Sequence, residues 1–307
     1  MNMMRCPYPY CSSTQSKVVY DFGKWKIVEC KNCKLMYLTP FPTLEELKQI
    51  YNEEYYLNKN FYDFQENNLY GYTDYITERF TKQLHYRDIV GEIKRFLPKD
   101  KEKRTRLLEV GCGLGFFLDV ASDYSFDVTG IEFNKYAIEF IKKKYAFDVR
   151  SGELEKGMFG NNTFDVVVMF DVIEHLRNAF STIEEIHDIL SPEGILVLTT
   201  MDSRSLVSRL LGKRLEDFRR TKEHLFFFSR ETITNILAKY GFEIIKIQSN
   251  PHTFEMGILL ERSTIYSRPI FRAIKRLFDL LKLSKINIHV NLGTKMIVYA
   301  RKSANAS

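Results

Sequence analysis

A glycine-rich turn stands near the middle of the chain, in the segment Leu107-Leu-Glu-Val-Gly-Cys-Gly-Leu-Gly115. Its first four residues predict a short strand, and residues 115–121 predict the start of a helix. Glycine lacks a Cβ atom, so three glycines at a strand-to-helix turn let the backbone bend sharply and let a ligand lie against it. The spacing Gly-x-Gly-x-Gly departs from the dinucleotide pattern Gly-x-Gly-x-x-Gly, because residue 116 is Phe. A nicotinamide cofactor is therefore disfavoured.

Strands and helices alternate outward from this turn. The predicted strands cover residues 107–110, 126–131, 147–149, 164–170, 195–199, 242–248 and 295–301. Strands that are apolar throughout and separated by helices predict a parallel sheet covered on both faces. We expect the helix after the fourth strand to begin at His175 and to end before Ser191-Pro-Glu-Gly194. The fold class is therefore α/β.

A carboxylate follows the second predicted strand, in Gly130-Ile-Glu132. It lies about 20 residues beyond the glycine turn, where a carboxylate can bridge two ribose hydroxyls. The chain here resembles the class I S-adenosylmethionine (SAM)-dependent methyltransferases. The resemblance rests on Gly130–Glu132, on Glu109–Gly115 and on the segment Phe164-Asp-Val-Val-Val-Met-Phe-Asp-Val-Ile-Glu-His-Leu176. The resemblance is close over residues 107–194. It implies a Rossmann-like sandwich of about seven strands, mostly parallel with the last strand antiparallel.

The same resemblance implies a set of cofactor-binding residues. Those expected beside the methionine part of SAM are Glu109, Gly111, Gly113 and Gly115; Glu132 is expected at the ribose, Glu153 and Leu154 at adenine, and Phe170 and Asp171 beside the cofactor. An alternative for Asp171 is a helix N-cap. The loop 111–115 carries no Lys or Arg, which suits a cationic sulfonium better than a phosphate.

Four of the five cysteines lie in the first 33 residues, as Cys6-x4-Cys11 and Cys30-x2-Cys33. Four thiolates in two short loops fit a closed, tetrahedral, structural zinc site, although four unrelated reduced thiols are an alternative. Residues 6–60 look like the zinc-ribbon-like arm of methyltransferases that act on nucleotide sugars and surface glycans. This resemblance implies structural Zn²⁺ and a sugar, nucleotide-sugar or glycan acceptor.

Three residues are candidates for the chemistry: His175, His224 and Glu223. An oxygen acceptor needs a base, and histidine is the usual one near neutral pH. His175 belongs to a Glu-His pair that recurs in the family, and its alternative role is packing at a helix start. Glu223-His224 resembles a pair that lies at the acceptor in sugar-methylating relatives, with Glu223 orienting His224 or acting itself. We expect no catalytic metal.

Composition limits the alternatives. The 307 residues carry 45 Lys and Arg against 39 Asp and Glu, a net charge of +6 that is too small to demand nucleic acid as partner. The rival interpretations are an O-methyltransferase of a quinone or small phenol, an RNA-modifying or RNA-binding protein, and a catalytically inactive partner. Residues 1–10 lack the apolar core of a signal peptide, so we expect a cytoplasmic location.

Residues 268–285 combine an apolar helical stripe with five basic residues on the helix, Arg268, Arg272, Lys275, Arg276 and Lys282. Such a helix either covers the sheet or a dimer partner, or lies on an anionic membrane surface. The predicted organisation has four parts: an arm at 1–60, a helical and aromatic connector at 61–105, the SAM-binding half at 106–200, and acceptor-side insertions with the final strands at 201–307.

Overall fold

The computed structural model describes residues 5–43, 45–47, 62–63, 68–69, 79–98, 104–264 and 266–303. The strands are β1 (Ser16–Phe22), β2 (Trp25–Cys30), β3 (Met36–Thr39), β4 (Tyr62–Asp63), β5 (Asn68–Leu69), β6 (Arg106–Val110), β7 (Asp127–Glu132), β8 (Asp148–Ser151), β9 (Phe164–Phe170), β10 (Leu190–Met201), β11 (Phe226–Phe227), β12 (Phe242–Ser249), β13 (His252–Glu255), β14 (Asn287–Val290) and β15 (Lys295–Lys302). The helices are α1 (Arg79–Phe96), α2 (Phe116–Asp123), α3 (Lys135–Lys144), α4 (Ala179–Ile189), α5 (Leu206–Leu211), α6 (Glu216–Arg219), α7 (Arg230–Lys239), α8 (Met256–Ser263) and α9 (Arg268–Leu280).

A seven-stranded sheet forms the body, in the order β12-β15-β10-β9-β6-β7-β8. Strands β10, β9, β6, β7 and β8 are parallel, and β15 is antiparallel to both of its neighbours, β10 and β12. This order and the reversed last strand confirm the predicted α/β Rossmann-like sandwich. The order reverses at β6, which places the carboxyl ends of β6 and its neighbours around one crevice.

Strand β9 shows why the sheet is covered on both faces. Val166 and Val168 contact the apolar cluster formed with α1, α2 and α3, whereas Val167 and Met169 contact the cluster formed with α4 and α7. All four side chains are fully buried. Because successive side chains of a strand point to opposite faces, a strand with an unbroken apolar run such as residues 166–170 is buried on both sides. The prediction of a strand at residues 164–170 is confirmed.

A smaller antiparallel sheet carries the N-terminal arm, in the order β1-β2-β3-β11. Its last strand comes from residues 226–227, where Phe226 pairs with Tyr37 and Phe227 with Met36. The aromatic contacts Tyr8–Phe180 and Phe41–Phe226 join the arm to α4 and to the insertion after β10. The arm therefore shares one apolar core with the methyltransferase-like body.

Two predicted boundaries are wrong. The helix after β9 begins at Ala179 rather than at His175, because Asp171 adopts a left-handed backbone conformation, with φ 54°, and residues 172–178 form turns. The fifth strand begins at Leu190 rather than at 195, since the chain continues through an irregular register to Ile195. In the predicted helical and aromatic connector at 61–105, helix α1 covers Arg79–Phe96, whereas residues 61, 64–67, 70–78 and 99–103 lie outside the described residues. Among the described residues, no helix combines the length and the apolar character needed to cross a membrane.

Candidate functional site

The glycine turn and Glu132 meet at the carboxyl ends of β6 and β7. The Glu132 carboxylate accepts hydrogen bonds from the backbone N–H of Gly113 at 2.8 Å, of Phe133 at 3.0 Å and of Asn134 at 2.9 Å. Gly111 has φ 74°, and a Cβ atom there would lie 2.5 Å from Val172 Cγ2. The backbone thus bends past Val172 only because residue 111 is glycine, and it stays close to the buried carboxylate.

Glu109 is a second buried carboxylate beside this turn. Its oxygen Oε2 is buried and has no hydrogen-bond partner among the described residues. Burial, together with the nearby Glu132, raises the pKa of Glu109 well above its usual value. A buried acid without a partner costs free energy, and a bound cationic group would offset that cost. The two carboxylates and the glycine backbone therefore fit SAM, which carries a sulfonium and an ammonium group.

The other predicted cofactor residues lie at or after the ends of β8 and β9. Gly152 N–H donates to the carbonyl of Glu132 at 3.0 Å, which brings the segment after β8 beside the end of β7. In that segment Glu153 is exposed and Leu154 is buried in the core. Phe170 ends β9 and lies edge-on to Phe117, with ring centroids 4.7 Å apart. Cys112 fills the space above Gly130, where a Cβ atom would lie 2.7 Å from its sulfur.

Asp171 is an ion-pair partner in this structure and not a helix N-cap. Its oxygen Oδ1 lies 3.1 Å from Lys295 Nζ, and α4 is preceded by Asn178. Burial alone would raise the pKa of Asp171, but the pairing with Lys295 outweighs it and lowers the pKa. Lys295 also lies 3.0 Å from Asp217 Oδ1. The N-cap alternative is wrong because residues 172–178 separate Asp171 from the helix.

A cleft of about 280 Å³ opens beside this ion pair. Its lining includes Lys82, Asp171, His175, Asp217, Arg220, His224, His252, Arg262, Tyr266, Leu292 and Lys295. Polar groups of both charge signs thus face one space together with apolar side chains. Such a cleft suits a small acceptor with several hydrogen-bonding groups.

His175 and His224 meet in this cleft with Glu174 behind them. The two imidazole rings lie edge-on with centroids 4.7 Å apart. One ligand atom from each of Glu174, His175 and His224 lies within 4.8 Å of the others, so the three could hold a metal ion. The ammonium of Lys295, 3.9 Å from Glu174 Oε1, competes for the same carboxylate.

Burial sets the protonation of this cluster. It lowers the pKa of His175 to about 3, helped by the positive charges of Arg220 and Lys295. Burial also lowers the pKa of His224 well below its usual value. His224 donates a hydrogen bond to the backbone of Asp217, and its Nδ1 has no partner among the described residues. At neutral pH both imidazoles are therefore neutral, and Nδ1 of His224 is a buried acceptor.

The Glu223 side chain pairs with a cation that lines the cleft. It is fully buried, and its Oε2 lies 2.8 Å from Arg220 Nη1. The backbone carbonyl of Glu223 accepts a hydrogen bond from His175. The roles predicted for the Glu223 side chain, orienting His224 or acting itself, stay predictions.

The four N-terminal cysteines form one cluster. The sulfur atoms of Cys6 and Cys33 lie 3.5 Å apart, those of Cys11 and Cys30 lie 3.6 Å apart, and all four fall within 4.8 Å of one another. Tetrahedral zinc with bonds of about 2.3 Å places its sulfur ligands about 3.8 Å apart. The donor set and its spacing therefore fit a structural zinc ion.

Glu174→Gln is expected to flatten the dependence of stability on pH. Burial raises the pKa of Glu174 to about 8 from an ordinary value of 4.5, so the folded chain keeps a proton that the unfolded chain releases. This contribution to stability is complete below pH 4.5 and is lost as the pH rises to about 8. Over that range the wild-type free energy of unfolding should fall by about 3–4 kcal/mol more than that of the variant.

Urea unfolding at a series of pH values measures this difference. The matched control is Glu139→Gln, which makes the same change on an exposed position of α3 and should reproduce the wild-type profile. Identical pH profiles for Glu174→Gln and wild type would show that Glu174 is already ionised in the folded chain.

The sheet order, the glycine turn and the buried acids at the ends of β6 and β7 define a Rossmann-like methyltransferase fold. The chain belongs to the methyltransferase domain family, whose model matches residues 80–247. A solved structure from Bacillus halodurans, named "putative methyltransferase", has a similar fold with a TM-score of 0.50 at 14% identity, covering 71% of this chain and 100% of that one.

Two curated relatives are similar to part of the chain. One is a "Probable S-adenosylmethionine-dependent methyltransferase" of Mycolicibacterium smegmatis, 29% identical over 45% of this chain and 52% of that protein. The other is the mitochondrial ubiquinone biosynthesis O-methyltransferase of Schizosaccharomyces pombe, 34% identical over 34% of this chain and 41% of that protein. The chain thus matches about half the length of these relatives or less.

Proposed function

We propose that the chain transfers a methyl group from SAM to a polar acceptor bound in the cleft beside Lys295. The observation that carries this proposal is the pair of buried acids, Glu109 and Glu132, at a glycine turn without cationic side chains. Bound SAM supplies an electrophilic methyl group on a sulfonium. The chain's own contribution is to hold the acceptor in line with that group and to exclude water.

Calorimetric titration with S-adenosylhomocysteine (SAH) tests the cofactor half of the proposal. Folded protein is expected to bind SAH with measurable heat and one site per chain. Transfer of labelled methyl groups from SAM to a panel of nucleotide sugars, hydroquinones and RNA tests the acceptor half. Absence of SAH binding in folded protein would contradict the proposed function.

The acceptor we propose is a sugar, nucleotide sugar or glycan precursor. Two features support it: the resemblance of residues 6–60 to the arm of glycan-modifying methyltransferases, and the polar side chains of both charge signs that line the cleft and suit an acceptor with several hydrogen-bonding groups. A quinone or phenol acceptor is the second candidate, because the Schizosaccharomyces pombe relative is an O-methyltransferase of ubiquinone biosynthesis. Methyl transfer to the panel distinguishes the two acceptor classes directly. The position of the label in the product identifies whether oxygen, nitrogen or carbon is methylated.

His224→Ala is expected to lower turnover by about a hundredfold and to leave SAH affinity unchanged. His224 lines the cleft and its Nδ1 is a buried hydrogen-bond acceptor without a partner among the described residues, and loss of a positioned base typically costs about 10²–10⁴ in rate. The measurement is the rate of labelled methyl transfer at saturating SAM, with SAH calorimetry alongside.

His187→Ala is the matched control, since His187 is half-buried on α4 and does not line the cleft. It should keep the wild-type rate. Wild-type turnover in His224→Ala would remove His224 from the mechanism.

A further inference from the structure

Helix α9 presents an exposed face that is half apolar and half basic. Ile270, Leu277 and Leu280 are 58%, 52% and 79% exposed. With the exposed Ala273 they follow the spacing i, i+3, i+7, i+10, so they form one stripe along the helix. Arg268, Arg272 and Arg276 follow at i+4 intervals and form a second exposed stripe beside it. Apolar side chains in such a stripe are unusual on a surface that faces only water.

The inner face of the same helix is occupied. Phe271, Ile274 and Phe278 are partly buried, and α9 packs against α8. The exposed leucines are therefore not among the residues that attach α9 to the body of the protein. The helix does not need them for its own packing.

The charge of this segment is strongly one-sided. Residues 268–285 contain six basic side chains and one acidic side chain, Asp279, which pairs with Lys275 at 3.0 Å. A basic amphipathic helix with exposed leucines matches an anionic lipid surface, where the apolar stripe enters the acyl boundary and the arginines contact headgroups. A second copy of this chain would bring the same positive charge against itself.

The segment that precedes α9 reaches the cleft. Leu259, Arg262 and Ser263 of α8 line the cleft, and so does Tyr266, which lies between α8 and α9 in the sequence. Tyr266 and Leu292, which also lines the cleft, are about half exposed. The lining thus combines partly exposed apolar side chains with the ion pair of Asp171 and Lys295.

We propose that α9 docks the protein on an anionic membrane surface and delivers the cleft to an amphipathic acceptor anchored there. The polar end of that acceptor enters the cleft, and its apolar chain leaves past Tyr266 and Leu292. The acceptor part of this inference rests on the proposed function, whereas docking does not. A lipid-linked sugar and a prenylated hydroquinone share this chemistry.

Vesicle flotation tests docking without any substrate. We expect the full chain to bind phosphatidylcholine vesicles with about 30% phosphatidylglycerol at least about tenfold more strongly than phosphatidylcholine alone, and to lose that preference in about 0.5 M salt. The double variant Leu277→Glu, Leu280→Glu should bind anionic vesicles about tenfold more weakly. The matched control, Leu84→Glu, places the same change on an exposed leucine of α1 and should bind as wild type.

Each outcome decides the proposal. Thermal unfolding and SAH calorimetry show whether the variants are folded. Lack of wild-type binding to anionic vesicles, or equal binding by the double variant, would overturn docking. A wild-type dimer that the double variant converts to monomer, without vesicle binding, would assign the face to a second copy and also overturn it. Vesicle binding without SAH binding would support docking while rejecting the proposed function.

A second experiment compares a lipid-linked sugar and a prenylated hydroquinone as acceptors in the same vesicles. Labelled methyl transfer to a vesicle-anchored sugar or to a vesicle-anchored hydroquinone should exceed transfer to the matching water-soluble head group by about tenfold, and the double variant should abolish that excess. Equal rates on anchored and soluble acceptors would overturn the acceptor part.

Discussion

Glu132→Ala is expected to weaken the binding of SAH by about a hundredfold. The wild-type carboxylate accepts three backbone N–H groups, from Gly113, Phe133 and Asn134, and is the acid we expect at the ribose. A hydrogen bond to a charged group contributes about 1.5–3 kcal/mol. Alanine would remove the ribose contact and would also leave the N–H of Gly113 without its partner, so the glycine turn itself would loosen. Calorimetry with SAH measures the loss.

Two further variants separate these effects. Glu132→Gln keeps the side-chain size but replaces one acceptor oxygen with an NH₂ donor, so it should bind SAH with an affinity between those of alanine and wild type. Glu139→Ala, on the exposed side of α3, makes the same truncation away from the crevice and should bind normally. A folded Glu132→Ala protein with SAH affinity within threefold of wild type would show that position 132 does not hold the cofactor.

Much of the body could be predicted because its signals are local. The strand at residues 164–170 is apolar at every position except Asp165, so its type, bounds and burial followed from its sequence alone. Glycine at position 111 predicted a sharp turn, and the structure shows there a positive φ and a close contact between the backbone and a neighbouring side chain. The adjacency of Glu132 and Gly113 follows from the parallel pairing of β6 with β7.

The cleft could not be predicted in the same way, because its contacts join distant parts of the chain. Lys295 lies 124 residues from Asp171 along the chain and yet pairs with it, and no local pattern marks a lysine at the start of a strand as buried. The same holds for Asp217, the third member of that ion-pair group. The left-handed backbone at Asp171, which delays the start of α4, is uncommon for any residue other than glycine and has no signature in its neighbours.

The most informative missed element is β11, since it links the arm to the chemistry. The sequence predicts no strand at residues 225–228, but Phe226 and Phe227 pair with β3 of the arm, and Leu38 N–H donates to the carbonyl of Leu225. His224 is the residue immediately before this pairing. The position of a candidate base in the cleft therefore depends on a sheet that begins beside the four cysteines.

Cys30→Ser is expected to remove bound zinc and to destabilise the arm by about 4–5 kcal/mol, a size of effect typical of losing a structural metal. Cys30 is fully buried at the end of β2, and its sulfur atom lies 3.6 Å from that of Cys11. Without the metal, the four thiols would lose their common ligand and β1–β3 would lose their link to the turn at Cys6. Because β11 pairs with β3, the change should also lower methyl transfer, whereas SAH affinity should stay near wild type.

Metal analysis of the purified full chain measures the zinc content. Thermal unfolding before and after a strong chelator measures the stability, and SAH calorimetry measures the cofactor affinity. Cys112→Ser is the matched control for metal content, since Cys112 is a buried cysteine outside the cluster and its loss should leave one zinc per chain. Wild-type protein without metal, with the same unfolding temperature before and after chelation, would show four reduced thiols and no zinc site. Loss of zinc with unchanged turnover would instead show that β11 holds His224 in place without the metal's help, which would confine the cysteines to the stability of the arm.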